Sequence, residues 1–389
     1  MVIIHKELQA LTNSLKVVDI GKLTLTMYAK VLDEERYVCY ARSTSATDEI
    51  KVAFTVPAEG TTPNPTSFNL DGKKFLEVAS ALLPFEKDIS WNLDNGMFNI
   101  CIEGITNISI PLEAEAVADM VFDNTNAVAI ATDAKAFVSL LNKGSAAAVK
   151  NASVPMAGVV VLDFDGATKA LRCASTDGTL VAVANGTIEQ VQAKEKKKST
   201  LSLPVDSYSR IAKVIGGAVK VKIMFNDTQL AVSGANNAVY TCQLSSVAYD
   251  VDSLLSKITS ATATGVTADN EVLVNSINVL QTSAIGDDKA MKPYLIRSTE
   301  NSLTLGVNNT SNVVNVPVTS SIGVFEPDAD GGKTGINPAL LMKCLKTLNK
   351  GNVTLRSSNS ASAPLVISNG TLTEPDDSAI FYVMKVRCN

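Results

Sequence analysis

The sequence predicts an α+β fold of three similar domains, each with two helices and a set of short antiparallel strands. Three observations predict it. The chain has 389 residues, too many for a single hydrophobic core. Hydrophobic residues make up 46% of it but aromatic ones only 5%, so the cores must be modest and built from Val, Ile, Leu and Ala. Above all, one amphipathic helix pattern recurs at a constant interval, and the same strand–turn–strand sequel follows it each time.

In the first unit, His5–Leu15 is expected to be helical, with Leu8, Leu11 and Leu15 on one face. Phe68–Leu83 reads as a second helix opened by Asp71. Ile89–Leu93 and Met97–Ile102 alternate like half-buried strands and flank the turn Asp94-Asn95-Gly96. Pro111–Asn126 reads as a linker. The second unit repeats the order: helix Asp133–Leu141, with Phe137, Leu140 and Leu141 inward, then helix Leu201–Gly216, opened by Pro204. Strands Val219–Phe225 and Gln229–Ser233 follow around Asn226-Asp227, and Ser245–Gly265 reads as the next linker. The third unit has helix Asp269–Leu280, with Leu273, Ile277 and Leu280 inward, and helix Thr334–Asn349, opened by Asn337 and Pro338. Its strands are Val353–Arg356 and Pro364–Ile367 around Ser357–Ser360. Phe75, Tyr208 and Leu341 stand 133 residues apart, and Val78, Ile211 and Cys344 repeat in the same register. So do Ala79, Ala212 and Leu345, and Leu82, Ile215 and Leu348, which completes one helical stripe. The expected domains are 1–122, 123–251 and 252–389.

Charge and chemistry exclude several classes. The net charge of −5 argues against a body that grips nucleic acid over its whole surface, though it allows a basic stripe. Six cysteines, at 39, 101, 173, 242, 344 and 388, form no CxxC pair and are expected to be reduced. No run of 18 apolar residues occurs, and no signal peptide is read, so a cytoplasmic protein is expected. His5 is the sole histidine, without a nucleophile nearby, and neither a P-loop nor a GxGxxG motif is present. Asp287-Asp288 and Asp376-Asp377 fall in polar turns. No catalytic residue, metal or cofactor is expected, and the chain is expected not to be an enzyme.

Three segments carry a family resemblance. Pro155–Gly158 (PMAG) leads into the strand Val159–Phe164, and Leu171–Val183 forms a strand–Thr-Asp-Gly–strand element. Phe381–Cys388 (FYVMKVRC) ends the chain as an apolar strand. Gly335–Leu355 supplies the last helix and its strand. In their order and spacing these resemble the bacterial DNA polymerase III beta subunit, the DNA sliding clamp. The chain departs from that pattern in having Thr179 and Leu180 where the family often has His-Arg. Lys385 stands where Pro is usual, and an extra loop, Asp328–Lys333, precedes the last helix.

The resemblance implies a head-to-tail ring homodimer, with each domain's two helices inside and its antiparallel sheets outside. Such a ring is a processivity factor that encircles double-stranded DNA and tethers the replicative DNA polymerase. A clamp loader and other proteins with clamp-binding motifs are its further partners. Phe98–Ile102 and Met291–Ile296 are candidate joining edges. The DNA-facing residues would be Lys6, Lys16, Lys22, Lys135, Lys143 and Lys150 on and beside the first helices. On the second set they would be Lys73, Lys74, Arg210, Lys213, Lys343, Lys346 and Lys350. Such contacts are sequence-independent and phosphate-directed. The partner-peptide pocket would comprise Met156, Thr176, Gly178, Leu180, Val181, Pro364, Val383, Met384 and Val386. The alternative is a non-enzymatic three-domain binding or structural protein unrelated to replication.

Overall fold

The computed structural model describes residues 2–17, 22–33, 36–44, 47–57, 66–114, 120–192, 198–234, 237–258, 264–283, 293–308, 311–323, 334–358 and 363–387. The chain begins with β1 (Val2–Ile3), α1 (His5–Leu15), β2 (Lys22–Asp33), β3 (Arg36–Thr44), β4 (Asp48–Pro57) and β5 (Thr66–Asp71). Then come α2 (Gly72–Leu82), β6 (Ile89–Asp94), β7 (Met97–Ile102) and β8 (Thr106–Glu113). The middle third runs β9 (Val128–Asp133), α3 (Ala134–Gly144), β10 (Val159–Asp165), β11 (Ala170–Thr176), β12 (Leu180–Thr187), β13 (Gln190–Gln192) and β14 (Lys198–Pro204). It closes with α4 (Val205–Ile215), β15 (Lys220–Phe225), β16 (Gln229–Ser233) and β17 (Ala238–Gln243). The last third holds α5 (Val251–Ile258), β18 (Thr264–Asp269), α6 (Asn270–Ser283), β19 (Tyr294–Ser298), β20 (Ser302–Val307) and β21 (Val313–Ile322). It ends with β22 (Thr334–Gly335), α7 (Pro338–Thr347), β23 (Asn352–Ser357), β24 (Leu365–Gly370), β25 (Pro375–Val383) and β26 (Val386–Arg387).

Two compact units form. The first is Met1–Lys135, Glu189–Lys194 and Asp206–Leu244; the second is Ala136–Ile188, Glu195–Val205 and Ser245–Asn389. The first unit is built on an antiparallel sheet ordered β1-β6-β7-β8-β5-β2-β3-β4-β17-β16-β15-β9-β13. The sheet of the second is ordered β14-β10-β11-β12-β25-β24-β23-β18-β21-β20-β19.

One pairing in each sheet joins consecutive sequence repeats. In the first unit β17 adds to β4, with Ala238 opposite Val52 and Cys242 opposite Asp48. In the second, β25 adds to β12, with Leu180 opposite Val383 and Ala184 opposite Ala379. Because β7 lies between β6 and β8, Phe98–Ile102 is not a free edge, contrary to the sequence expectation. β19 does end its sheet, while Met291 lies outside the described residues.

Local chemistry explains the elements. Asp71 caps α2 by accepting from the Lys74 N–H at 2.9 Å, and Asn337 caps α7 by accepting from the Ala339 N–H at 2.9 Å. Pro338 holds the first position of α7, where its missing N–H is harmless. Asn95 and Gly96 take φ of 49° and 72°, the left-handed pair of a two-residue hairpin loop between β6 and β7. The stripes read from sequence are mostly buried: Leu8, Leu11 and Leu15; Phe75, Ala79 and Leu82; Ile211 and Ile215; Leu273, Ile277 and Leu280; Leu341, Cys344 and Leu345, whereas Val78, Tyr208 and Ala212 are half-buried. In the first unit Phe98 collects Phe68, Phe75 and Trp91 around it at centroid distances of 5.3, 6.3 and 5.3 Å. At the end of α3, a Cβ on Gly144 would sit 2.5 Å from the Cys173 sulfur, so the helix meets β11 there only as glycine. Cys101, Cys173, Cys242 and Cys344 are free thiols, and burial pushes those of Cys242 and Cys344 up to about 12.

The sequence boundaries differ from the structure in two ways. Phe68–Asp71, Leu201–Pro204 and Thr334–Gly335 are strand, so each second helix starts about one turn later than its apolar pattern suggested. The strand residues Phe68, Leu70, Leu201 and Leu203 are themselves buried, and they merge with the helical stripe that follows. The second difference is α5, inside the segment expected to be a linker. Its Val251, Leu254, Leu255 and Ile258 repeat at i, i+3, i+4 and i+7, a helical stripe within a short polar stretch.

Candidate functional site

The expected DNA-facing side chains are mostly on helix surfaces. Lys6 lies on α1 and Lys16 caps its end, Lys73 and Lys74 open α2, and Lys213 lies on α4; all are exposed. Lys343 and Lys346 are exposed on α7, whose opposite face is buried. Lys135 and Lys143 mark the two ends of α3, with Lys150 exposed beyond it, and Lys22 begins β2. Lys350 is exposed, and its Nζ pairs with Glu271 Oε1 of α6 at 2.6 Å; that hydrogen bond raises the lysine's pKa. Among the six helices expected from sequence, α6 alone carries no Lys or Arg.

Arg210 is committed elsewhere. Its Nη1 donates to Asp48 Oδ2, and Asp48, only 1% exposed, also accepts from the Tyr240 hydroxyl and from Ser207 Oγ at 3.3 Å. Burial works against the charge on Arg210, but Asp48 and Tyr240 outweigh it and its pKa rises. Burial also pushes the Tyr240 phenol upward. Arg210 thus ties α4 to β4 and β17 within the first unit. Next to Asp48, Glu49 is raised by burial, offset by an N–H from Met120 and the nearby Arg42.

The expected pocket residues divide by burial. Leu180 and Val383, paired across β12 and β25, are fully buried in the core of the second unit, and Val181 is 2% exposed in a smaller cluster with Tyr382. Pro364 and Thr176 are also buried. In the Thr-Asp-Gly turn, Asp177 Oδ1 accepts from the N–H groups of Thr179 and Leu180 at 2.8 and 2.7 Å, while Gly178 takes φ +88°. Thr176 Oγ1 donates to the Leu180 carbonyl and accepts from the Gly178 N–H. The Met384 N–H donates to the Thr179 carbonyl at 2.8 Å, which holds the chain end against this turn. Met384 is half-buried, and Met156 and Val386 are exposed at 37% and 40%. The Leu180 side chain turns inward to the core.

Sequence reasoning missed the wall contributed by α5. Tyr249, Leu254, Leu255, Ile258 and Met384 are partly buried and pack on the cluster of Val161, Ala174, Val181, Val183, Val251 and Tyr382. The result is an apolar surface on the β12–β25 junction, suited to apolar side chains of an extended peptide. At the other end of α5, a cavity of about 590 Å³ is lined by Asp163, Arg172, Asn185, Lys198, Tyr249 and Asp252 among others. Arg172 crosses its floor. Nε and Nη2 donate to Asp163 Oδ2 at 3.0 and 2.6 Å, and Nη1 donates to Asp252 Oδ1 at 2.6 Å. The Arg172 hydrogen bond holds the Asp252 carboxyl below the usual range. Among the described residues, no group of three or more His, Cys, Asp and Glu is placed to hold a metal ion, and no helix is long and apolar enough to cross a membrane.

No protein-family model and no curated protein matches the sequence. Solved structures do match it along its whole length, and the fold they share with this chain is that of the DNA sliding clamp. DNA polymerase III subunit beta from Pseudomonas aeruginosa superposes with a TM-score of 0.80 at 13% identity, covering 100% of both chains. The beta subunit from Thermotoga maritima gives 0.77 at 15% identity, over 100% of this chain and 99% of that one. The Helicobacter pylori beta clamp bound to a DNA ligase peptide gives 0.77 at 14% identity, over 99% of each.

Proposed function

We propose that this chain is a sliding clamp: a non-catalytic ring of two copies that encircles duplex DNA and tethers a replicative polymerase. A clamp loader and other partners would dock on it through short peptides. The full-length fold match carries this reading. The three repeats, 1–122, 123–251 and 252–389, would be its domains. A closed two-chain ring in electron micrographs, with a dimer mass by light scattering, is the expected result. A monomer at micromolar concentration counts against it.

The strand junctions support a particular closure. Twice within the chain, the last strand of one repeat's hairpin adds to the edge of the preceding repeat, as β17 does to β4 and β25 to β12. The third such pair is β8 and β21. Along Thr106–Ile110, β8 has only β7 beside it, and along Val313–Pro317, β21 has only β20, among the described residues. Pairing β21 of one copy with β8 of the next makes the third junction, a heterologous contact that closes when repeated. Val313, 57% exposed, would be covered there. The double variant Ile108→Asp, Val313→Asp is expected to raise the dimer dissociation constant about 100-fold, since a carboxylate in a strand joint loses its water. Circular dichroism should stay unchanged. A dimer that survives both changes rules out these edges.

The peptide surface would comprise Leu254, Ile258 and Met384, with Met156, Gly178 and Val386 at its margin, over the buried Leu180, Val181, Pro364, Thr176 and Val383. Burying one Leu or Phe anchor contributes about 1.5–3 kcal/mol, so Leu254→Asp should weaken a peptide with such anchors at least about tenfold. Fluorescence anisotropy measures this, and unchanged affinity removes α5 from the surface.

A further inference from the structure

We propose that Arg172 is a positioning residue for the peptide-docking surface: by gripping Asp163 of β10 and Asp252 of α5 together, it sets how α5 presents Leu254 and Ile258. This rests on the reading of α5 as one wall of that surface. The grip is stiff on one side and soft on the other. Asp163 is held in place, since its Oδ1 also accepts from Thr200 Oγ1 at 2.7 Å while its Oδ2 takes two guanidinium N–H groups. Arg172 and Asp163 are partners in the β10–β11 register, so the guanidinium rises from a fixed point of the sheet. Asp252, by contrast, has a side chain 77% exposed, against 24% for Arg172.

α5 needs such a hold. It has eight residues, too few to be helical alone, so its order comes from what it touches. Its apolar stripe packs on the sheet, but apolar contact tolerates sliding. At its start, Asp250 Oδ1 caps the helix by accepting from the Asp252 and Ser253 N–H groups, and the preceding Tyr249 hydroxyl donates to the Ala174 carbonyl at 3.2 Å. Arg172–Asp252 links the helix itself by side chains to the sheet floor. The adjoining cavity lets water and salt reach that link, so it is screenable. A partly exposed pair tunes rather than makes a fold, which suits a device for adjusting affinity.

The test uses Asp252→Asn and Arg172→Lys in the full chain. The readouts are hydrogen exchange of the α5 amides and the anisotropy of a labelled peptide with Leu and Phe anchors, at about 50 and about 500 mM NaCl. Asp252→Asn is expected to speed α5 exchange and to weaken the peptide roughly threefold, with an unchanged melting temperature. High salt should do the same to the unmodified protein and little more to Asp252→Asn. Arg172→Lys keeps the charge but loses the two-sided grip, and it should behave like Asp252→Asn. Unchanged α5 exchange in both variants overturns the Arg172 grip. Faster exchange with unchanged peptide affinity overturns its control of docking. If the unmodified protein binds no peptide, the docking surface is wrong, while the exchange measurement still decides whether Arg172 holds α5.

Discussion

Protein loaded on a nicked circular DNA is expected to stay bound through a high-salt wash and to be lost, by more than tenfold, once the circle is linearised. The chain carries 39 acidic against 34 basic residues, so tight surface binding to a polyanion is disfavoured. In the proposed ring, its exposed lysines on α1, α2, α4 and α7 would offer a few loose phosphate contacts. These screen readily and cannot by themselves resist salt. In the proposed ring, retention on circles would come from enclosure, and a cut end would remove enclosure at once. Replacing Lys73, Lys74, Lys213, Lys343 and Lys346 by Ala should reduce loading and the salt slope without affecting folding, because all five are exposed. Equal retention on linear and circular DNA defeats the ring reading.

Asp48→Ala is expected to destabilise the protein by about 3–5 kcal/mol, the usual loss when one partner of a buried ion pair is removed. Asp48 is 1% exposed and accepts from Arg210, Tyr240 and Ser207. Without it, the guanidinium loses its counter-charge and two hydroxyls lose an acceptor in a place water barely reaches. Asp48→Asn should cost less, since the amide oxygen still accepts. Urea unfolding read at Trp91, which lies in the same unit, gives the comparison. A loss below about 1 kcal/mol for Asp48→Ala contradicts the role assigned to this cluster.

Much of the architecture was legible because it lies in periodicity. Leu8, Leu11 and Leu15 predict α1 to the residue, and the turn at Asn95-Gly96 predicts the β6–β7 hairpin because only left-handed residues close it. What failed was arbitration between periods. Phe68 and Leu70 alternate as a strand, yet run into the stripe of Phe75 and Ala79, and nothing local marks the change except Asp71. α5 was hidden for the opposite reason: its stripe is only two turns long and sits among Ser and Asp. The site was less legible than the fold. Exposure is a tertiary property, so sequence could not show that Leu180 and Val383 face inward while Leu254 remains half open. Nor could it show that Arg210, on a helix face rich in polar residues, answers an aspartate 162 positions earlier.

The strand additions of β17 to β4 and of β25 to β12 have a consequence for inheritance. Among the described residues, the first repeat is joined to the second and the second to the third through main-chain hydrogen bonds. A single repeat excised from the gene would carry away one raw strand edge and leave another behind. Such edges recruit whatever strand is nearby, and the fragments would be prone to aggregate. The repeats are therefore modules in sequence but not in autonomy. A repeat expressed singly would need something to cover the seam.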